Sequence, residues 1–180
     1  GPILIGEDSR RSSSMLTAAL TAGLTAAGKE VWVLGLCPTP AVSNLIKKLN
    51  AAGGLMVTAS HNPPGDNGIK VFNANGLKIN SDKRNFIETQ LKKSSKSNNI
   101  YPTFTAFGQS YQRSELLNEY KKSLLTSISN KRLDKTRIVL DLCWGSATSC
   151  AKEVFAALGA ELIVLNDKPD GNRINVDCGS

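Results

Sequence analysis

Over its first 57 residues the chain alternates short apolar runs with longer helix-patterned segments, and few folds accommodate that order. Ile3-Leu4-Ile5, Val31-Trp32-Val33-Leu34 and the run from Gly53 to Val57 have the length of buried strands rather than of helices. Between the first two, Ser12, Ser13 and Ser14 offer helix caps ahead of Leu16, Leu20 and Leu24, which recur every fourth residue beside Ala19, Gly23 and Ala27 until Gly28. Between the second and third, Thr39-Pro40 places proline at the first position of a helix reaching about Asn50. Strand, helix, strand, helix, strand demands crossovers, and right-handed crossovers lay helices on a largely parallel sheet. The expected class is α/β, with a mixed, largely parallel sheet sandwiched between helices.

Beyond the loop at 58–67, Gly68 to Asn73 and Leu77 to Ile79 flank Asn75-Gly76, a hairpin turn signal, and Ser81 or Asp82 can cap a third helix reaching about Lys93. Residues 94–110 have loop composition, and a polar amphipathic helix is predicted from Ser110 to Ser129. Arg137 to Leu142 reads as a strand, Ser146 to Leu158 as a helix and Glu161 to Leu165 as a strand, the beginning of a second similar α/β unit. The division expected from this pattern is a first domain at 1–97, a linker and bridging helix at 98–132, and the incomplete start of a second domain at 133–180.

Membrane insertion and nucleic-acid binding both find little support. The most apolar helical stretch, Met15 to Ala27, is interrupted by Thr17, Thr21, Gly23 and Thr25, well short of the roughly 18 apolar residues a membrane span needs. No basic segment followed by an apolar one and a cleavage site opens the chain, so a cytoplasmic location is expected. Cys37, Cys143, Cys150 and Cys178 form no CxxC pair and a single histidine suits no common zinc spacing, so the cysteines are expected to be reduced and buried. The formal charge of +7 is concentrated early, with 12 basic and 6 acidic side chains in residues 1–97. These cations are scattered singly or in pairs without aromatic interleaving, which speaks against a nucleic acid; a small anionic substrate such as a phosphate ester suits a positive cleft equally well, and a merely solvated surface is the alternative.

The richest segment runs from Thr58 to Lys70, TASHNPPGDNGIK, directly after a predicted buried strand. In an open α/β sheet, ligands bind at the carboxyl ends of strands, which would put Ser60 at the mouth of a cleft. Ser60 offers a hydroxyl and His61 an imidazole, Gly65 and Gly68 permit close backbone approach, and Lys70 supplies a compact cation. Those parts suit phosphoryl transfer, which is mostly positioning and charge neutralisation. The same residues also read as a polar connecting loop whose Asn62-Pro63 and Asp66-Asn67-Gly68 simply make turns. A Ser-His-Asp hydrolase fits poorly, because adjacent residues on an extended loop point apart and no GxSxG elbow surrounds Ser60.

Thr58 to Lys70 resembles the phosphoserine loop of the α-D-phosphohexomutases, T/S-A-S-H-N-P followed by N-G-x-K. Gly6-Glu7-Asp8-Ser9-Arg10 is similar to that family's GxDxR strand end, Cys37-Pro38-Thr39-Pro40 to its T-P turn, and Asp170 to Ser180 to its G-x-x-I-N-x-x-C-G-S stretch. The resemblance spans the whole chain. It implies that Ser60 carries a transferable phosphoryl group and, through that group, meets Mg²⁺. His61, Lys70 and Arg10 would be catalytic, and Asn62 and Asn67 substrate-binding. It further implies an isomerase that moves phosphate between the 6- and 1-positions of a sugar through a sugar 1,6-bisphosphate. The branch it is most similar to interconverts glucosamine 6-phosphate and glucosamine 1-phosphate; a glucose or mannose phosphate enzyme, or a noncatalytic phosphate-ester binding fragment, are the alternatives. Glu7 and Asn172-Arg173 depart from the pattern, and the family's metal loop, D-G-D-x-D-R, is not among these residues. It would be expected beyond Ser180, with the chain then comprising the first domain and the start of the second of a four-domain enzyme, inactive as a fragment.

Overall fold

The computed structural model describes residues 1–93, 106–128 and 131–179. Five strands build the first sheet: β1 (Ile3–Glu7), β2 (Val31–Leu36), β3 (Gly53–Val57), β4 (Ile69–Phe72) and β5 (Ser110–Gln112). Their order is β4-β3-β1-β2-β5, with β1 parallel to β2 and β3, β2 parallel to β5, and β4 antiparallel to β3. The chain is the mixed, largely parallel α/β fold that its strand–helix alternation requires.

Side chains alternate across each strand, so the sheet packs on both faces. Ile5, Val31, Val33 and Val57 face α1 (Ser13–Ala26), against which Leu16, Leu20 and Leu24 pack half-buried. Leu4, Leu34 and Met56 face the opposite way, onto Ala41, Val42, Leu45 and Ile46 of α2 (Thr39–Lys48), and Leu117 and Tyr120 of α4 (Leu117–Ser127) join the same core. Leu45 and Ile46 are fully buried, each contributing about 1.5–3 kcal/mol through the apolar surface removed from water. α3 (Ser81–Lys93) buries none of its residues, in keeping with its polar sequence.

In the second unit β6 (Arg137–Asp141) pairs in parallel with β7 (Glu161–Leu165), joined through a 3-10 turn at Ser146–Ser149 and α5 (Ala151–Ala157). Among the described residues no helix is long and apolar enough to cross a membrane.

Several local expectations change. Residues 110–112 are not helical: they form β5, with Ser110 opposite Val31, and the helix begins at Leu117. Three exposed residues are too few for period-two alternation to show, and only the neighbouring edge of β2 makes them a strand. The segment 77–79 makes only an isolated bridge, Lys78 to Phe72. The expected serine cap of α1 is not formed by a side chain; the Ser12 and Ser13 hydroxyls turn instead to Asn67 and Asp8. All four cysteines are free, but only Cys37 and Cys150 are buried, because Cys143 and Cys178 lie in the half-open loops beyond β6. Burial pushes the Cys37 thiol up to about 12, so it stays protonated at neutral pH.

Candidate active site

Because β1 and β3 run parallel, their carboxyl ends release two loops side by side. The first carries Asp8 and Arg10, the second Ser60 and His61. Asp8 is buried and accepts hydrogen bonds from the Arg10 backbone N–H (3.0 Å), Arg10 Nε (3.0 Å) and Ser13 Oγ (2.8 Å). That carboxylate aims the Arg10 guanidinium beneath the second loop. Its Nη2 donates to the carbonyls of Ser60 (3.1 Å) and Asn62 (2.8 Å), and its Nη1 to those of Asp66 (3.1 Å) and Pro63. One guanidinium thus gathers four carbonyls of a single loop, which suits its rigid, planar fork of donors.

The loop so held presents Ser60 at its tip. Ser60 is exposed and adopts φ 59°, the left-handed region that costs a non-glycine residue of order 1–2 kcal/mol and is therefore maintained by its surroundings. Its backbone N–H donates to Thr58 Oγ1 (3.0 Å), its carbonyl is fixed by Arg10, and its Oγ accepts from Lys70 Nζ (2.8 Å). Lys70 reaches Ser60 from β4, whose antiparallel pairing sets it opposite Met56. Burial, with a contribution from the like charge of Lys78, holds the Lys70 ammonium below the usual lysine range.

Gly68, anticipated as a point of close ligand approach, instead closes the loop: its carbonyl accepts from the Thr58 N–H (2.9 Å), and a Cβ there would lie 2.7 Å from the Thr58 carbonyl oxygen. Asn62 and Asn67 also work within the scaffold. Asn62 Nδ2 donates to Asp66 Oδ2 (2.9 Å), and the Asn67 side-chain oxygen accepts from Ser12.

The second unit closes over this loop at a site that reading the loop alone misses. Asn175 Nδ2 donates to the carbonyls of Ser60 (2.9 Å) and Asn62 (3.1 Å), the two that Arg10 Nη2 also holds. Ser9 Oγ donates to the Trp144 carbonyl (2.7 Å). Gly171 passes so close to the first loop that a Cβ would sit 2.5 Å from the Arg11 nitrogen and 2.6 Å from the Ser9 oxygen. Between the units lies a cleft of about 250 Å³, into which Asp8, Ser60, His61, Asp141 and Asn175 contribute. Ser60 and His61 thus meet at the cleft and Lys70 joins them through Ser60, whereas Arg10 lies beneath and Asn62 and Asn67 are not among the lining residues. The available signal for Asn175 is its place in the Ile174-Asn175 stretch; its partners, 113 and 115 residues away, carry none.

Chemically, the site offers an exposed hydroxyl on a rigid tip, an ammonium bonded to its oxygen, and an adjoining imidazole. Three comparisons bear on it. The phosphoglucosamine mutase of Prochlorococcus marinus strain MIT 9303 is 62% identical over all 180 residues, which correspond to 38% of that protein's length. That of Synechococcus sp. strain CC9311 is 61% identical over the same span, 39% of its length. A crystal structure of a phosphoglucomutase/phosphomannomutase family protein from Burkholderia thailandensis superposes with a TM-score of 0.79 at 28% identity, covering 95% of this chain and 37% of that one. The chain therefore spans well under half the length of the curated relatives it matches. Residues 1–98 match the sequence profile of phosphoglucomutase/phosphomannomutase, alpha/beta/alpha domain I, and with the strand order and loop geometry above this establishes that the chain belongs to that family.

Proposed function

We propose that this chain carries the phosphoryl-bearing serine of a cytoplasmic phosphoglucosamine mutase, an isomerase that interconverts glucosamine 6-phosphate and glucosamine 1-phosphate for the synthesis of amino-sugar polymers such as peptidoglycan. The observation that carries this reading is the Lys70 Nζ to Ser60 Oγ hydrogen bond of 2.8 Å at the tip of a braced loop facing a cleft. In the forward half-reaction a sugar hydroxyl oxygen bonds to phosphorus as the bond from phosphorus to Ser60 Oγ breaks, giving a sugar 1,6-bisphosphate. The departing Ser60 oxygen gains negative charge that the Lys70 ammonium is placed to stabilise and protonate, while the attacking hydroxyl gives up its proton to solvent and the lysine is reprotonated from solvent. The bisphosphate then turns over and gives its other phosphate back to Ser60. His61, exposed beside Ser60 on the cleft, would orient the phosphoryl group.

Mg²⁺ is implied by the family. A hard cation takes oxygen ligands, and the Ser60 oxygen, exposed on the cleft, fits that requirement, whereas the Asp8 carboxylate is committed to Arg10 and Ser13. When bound, the ion would offset the nearly two negative charges of a phosphoserine. Asn62 and Asn67, both exposed on this loop, would bind substrate, with their side chains also tied to Asp66 and Ser12. The domain reading, 1–97 followed by a linker and a second unit from 133, stands as part of this proposal, with β5 returning to the first sheet from within the linker.

Peptide mapping of the full-length protein, purified without phosphatase, tests the reading. Ser60 is expected to carry a phosphoryl group that is lost on adding glucosamine 6-phosphate. A serine that stays unmodified even after incubation with a hexose 1,6-bisphosphate and Mg²⁺ would leave only a binding role for the loop.

Lys70 supplies a second test. In the unphosphorylated protein its ammonium is lost as pH rises through a depressed pKa, so the Lys70 side-chain NMR signal should titrate at lower pH than an ordinary lysine's. Lys70→Gln is expected to lower kcat by about 10²–10³-fold. An unchanged kcat in the variant would exclude Lys70 from the transfer step.

A further inference from the structure

We propose that Asp141, Cys143 and Cys178 form a binding site for one thiophilic divalent cation, of the zinc and cadmium class, at the carboxyl end of β6. A carboxylate oxygen and two Sγ atoms, one from each residue, all lie within 4.8 Å of one another. A tetrahedral shell with metal–sulfur bonds of about 2.3 Å spaces its sulfurs by roughly 3.8 Å, so small side-chain rotations would close the set around an ion. Two thiolates with one carboxylate select such a cation over Mg²⁺, which prefers oxygen ligands in an octahedron.

The carboxylate is already oriented. Asp141 Oδ1 accepts from Asn166 Nδ2 (2.8 Å) and from the Cys143 N–H (3.0 Å), Oδ2 takes a long contact from the Gly179 N–H (3.4 Å), and the Cys143 thiol already hydrogen-bonds to the carboxylate, a contact that a metal ion would replace. Hydrogen-bonded support of this kind usually accompanies a ligating carboxylate. Neither thiol is buried in the core, unlike Cys37 and Cys150, so an ion can reach them from solvent. The site borders the cleft, because Asp141 and Cys143 line it with Ser60. Cys178 follows three residues after Asn175, which holds the Ser60 carbonyl. A cation here ties the 175–178 segment to the end of β6 and thereby holds Asn175 against the loop. A disulfide between Cys143 and Cys178 is the competing use of the two sulfurs, and it would not involve Asp141.

The test titrates the full-length protein, reduced and stripped of metal, with Cd²⁺ while following the ultraviolet thiolate-to-cadmium charge-transfer band, which oxygen ligands elsewhere do not produce. One equivalent per chain is expected, displaced by Zn²⁺ and untouched by a thousandfold excess of Mg²⁺. Cys143→Ser and Cys178→Ser should each weaken binding by at least about 100-fold, and Asp141→Asn by about tenfold. A measurement without variants keeps the result independent of their folding: Zn²⁺ should slow alkylation of Cys143 and Cys178 at least tenfold, as mapped by peptide mass. An absent band, a band of full strength in either serine variant, alkylation rates indifferent to Zn²⁺, or a Cys143–Cys178 disulfide persisting under reducing conditions would each overturn the proposal.

Discussion

If the proposed phosphoryl transfer holds, alanine at Ser60 is expected to lower kcat/KM of the full-length protein by about 10⁴-fold or more, with substrate binding changed far less. The hydroxyls nearest in sequence and on the adjoining loop are engaged elsewhere. Thr58 is the nearest in sequence, yet it is buried, and its Oγ1 is occupied by the Ser60 backbone N–H at 3.0 Å. Ser12 and Ser13 turn their hydroxyls to Asn67 and Asp8. The variant should fold normally, since Ser60 is exposed and its side-chain hydroxyl bonds to Lys70 alone among the described residues. Steady-state kinetics beside a circular-dichroism spectrum decide the matter: a well-folded variant with near-normal rates would remove Ser60 from the chemistry.

Arg10→Ala should cause the larger loss of stability, about 3–5 kcal/mol, measured as a drop in the urea unfolding midpoint at constant slope. The Arg10 and Asp8 side chains are 1% and 3% exposed, so removing one leaves the other's charge buried and uncompensated. Four loop carbonyls lose a donor at the same time. Activity should fall with stability, because Ser60 is held in its left-handed conformation partly through its carbonyl. Arg10→Lys keeps the charge but not the planar fork, and should recover only part of the loss. A loss below about 1 kcal/mol in Arg10→Ala would show that the loop holds its shape by other means.

Much of the candidate site is legible in the linear chain because the residues proposed for its chemistry are contiguous. Ser60, His61 and Lys70 lie within eleven consecutive residues, and the preceding strand announces itself by an apolar run. Arg10 is legible as a residue but not as a clamp. A GxDxR strand end suggests an ion pair with Asp8, and nothing local indicates that the guanidinium's remaining donors reach carbonyls 50 to 56 residues away. For Asn62 and Asn67 a polar side chain on a loop tip suggests contact with a ligand, yet each finds a nearer partner once the loop folds back on itself and on α1.

Sequence periodicity was enough for the order of strands and helices in the first unit, the two-faced packing of its central strands and the loop bearing the chemistry, because all three follow from local spacing and residue type. Folding in three dimensions was needed to place β5 beside β2, to lay Asn175 and Gly171 across the serine loop, to turn Arg10 beneath it, and to bring Cys143 within reach of Cys178. Those arrangements join residues tens to more than a hundred positions apart. Their selection depends on crossover handedness, on which sheet edge is free and on which polar atoms would otherwise be buried without partners, none of which has a signature in neighbouring residues.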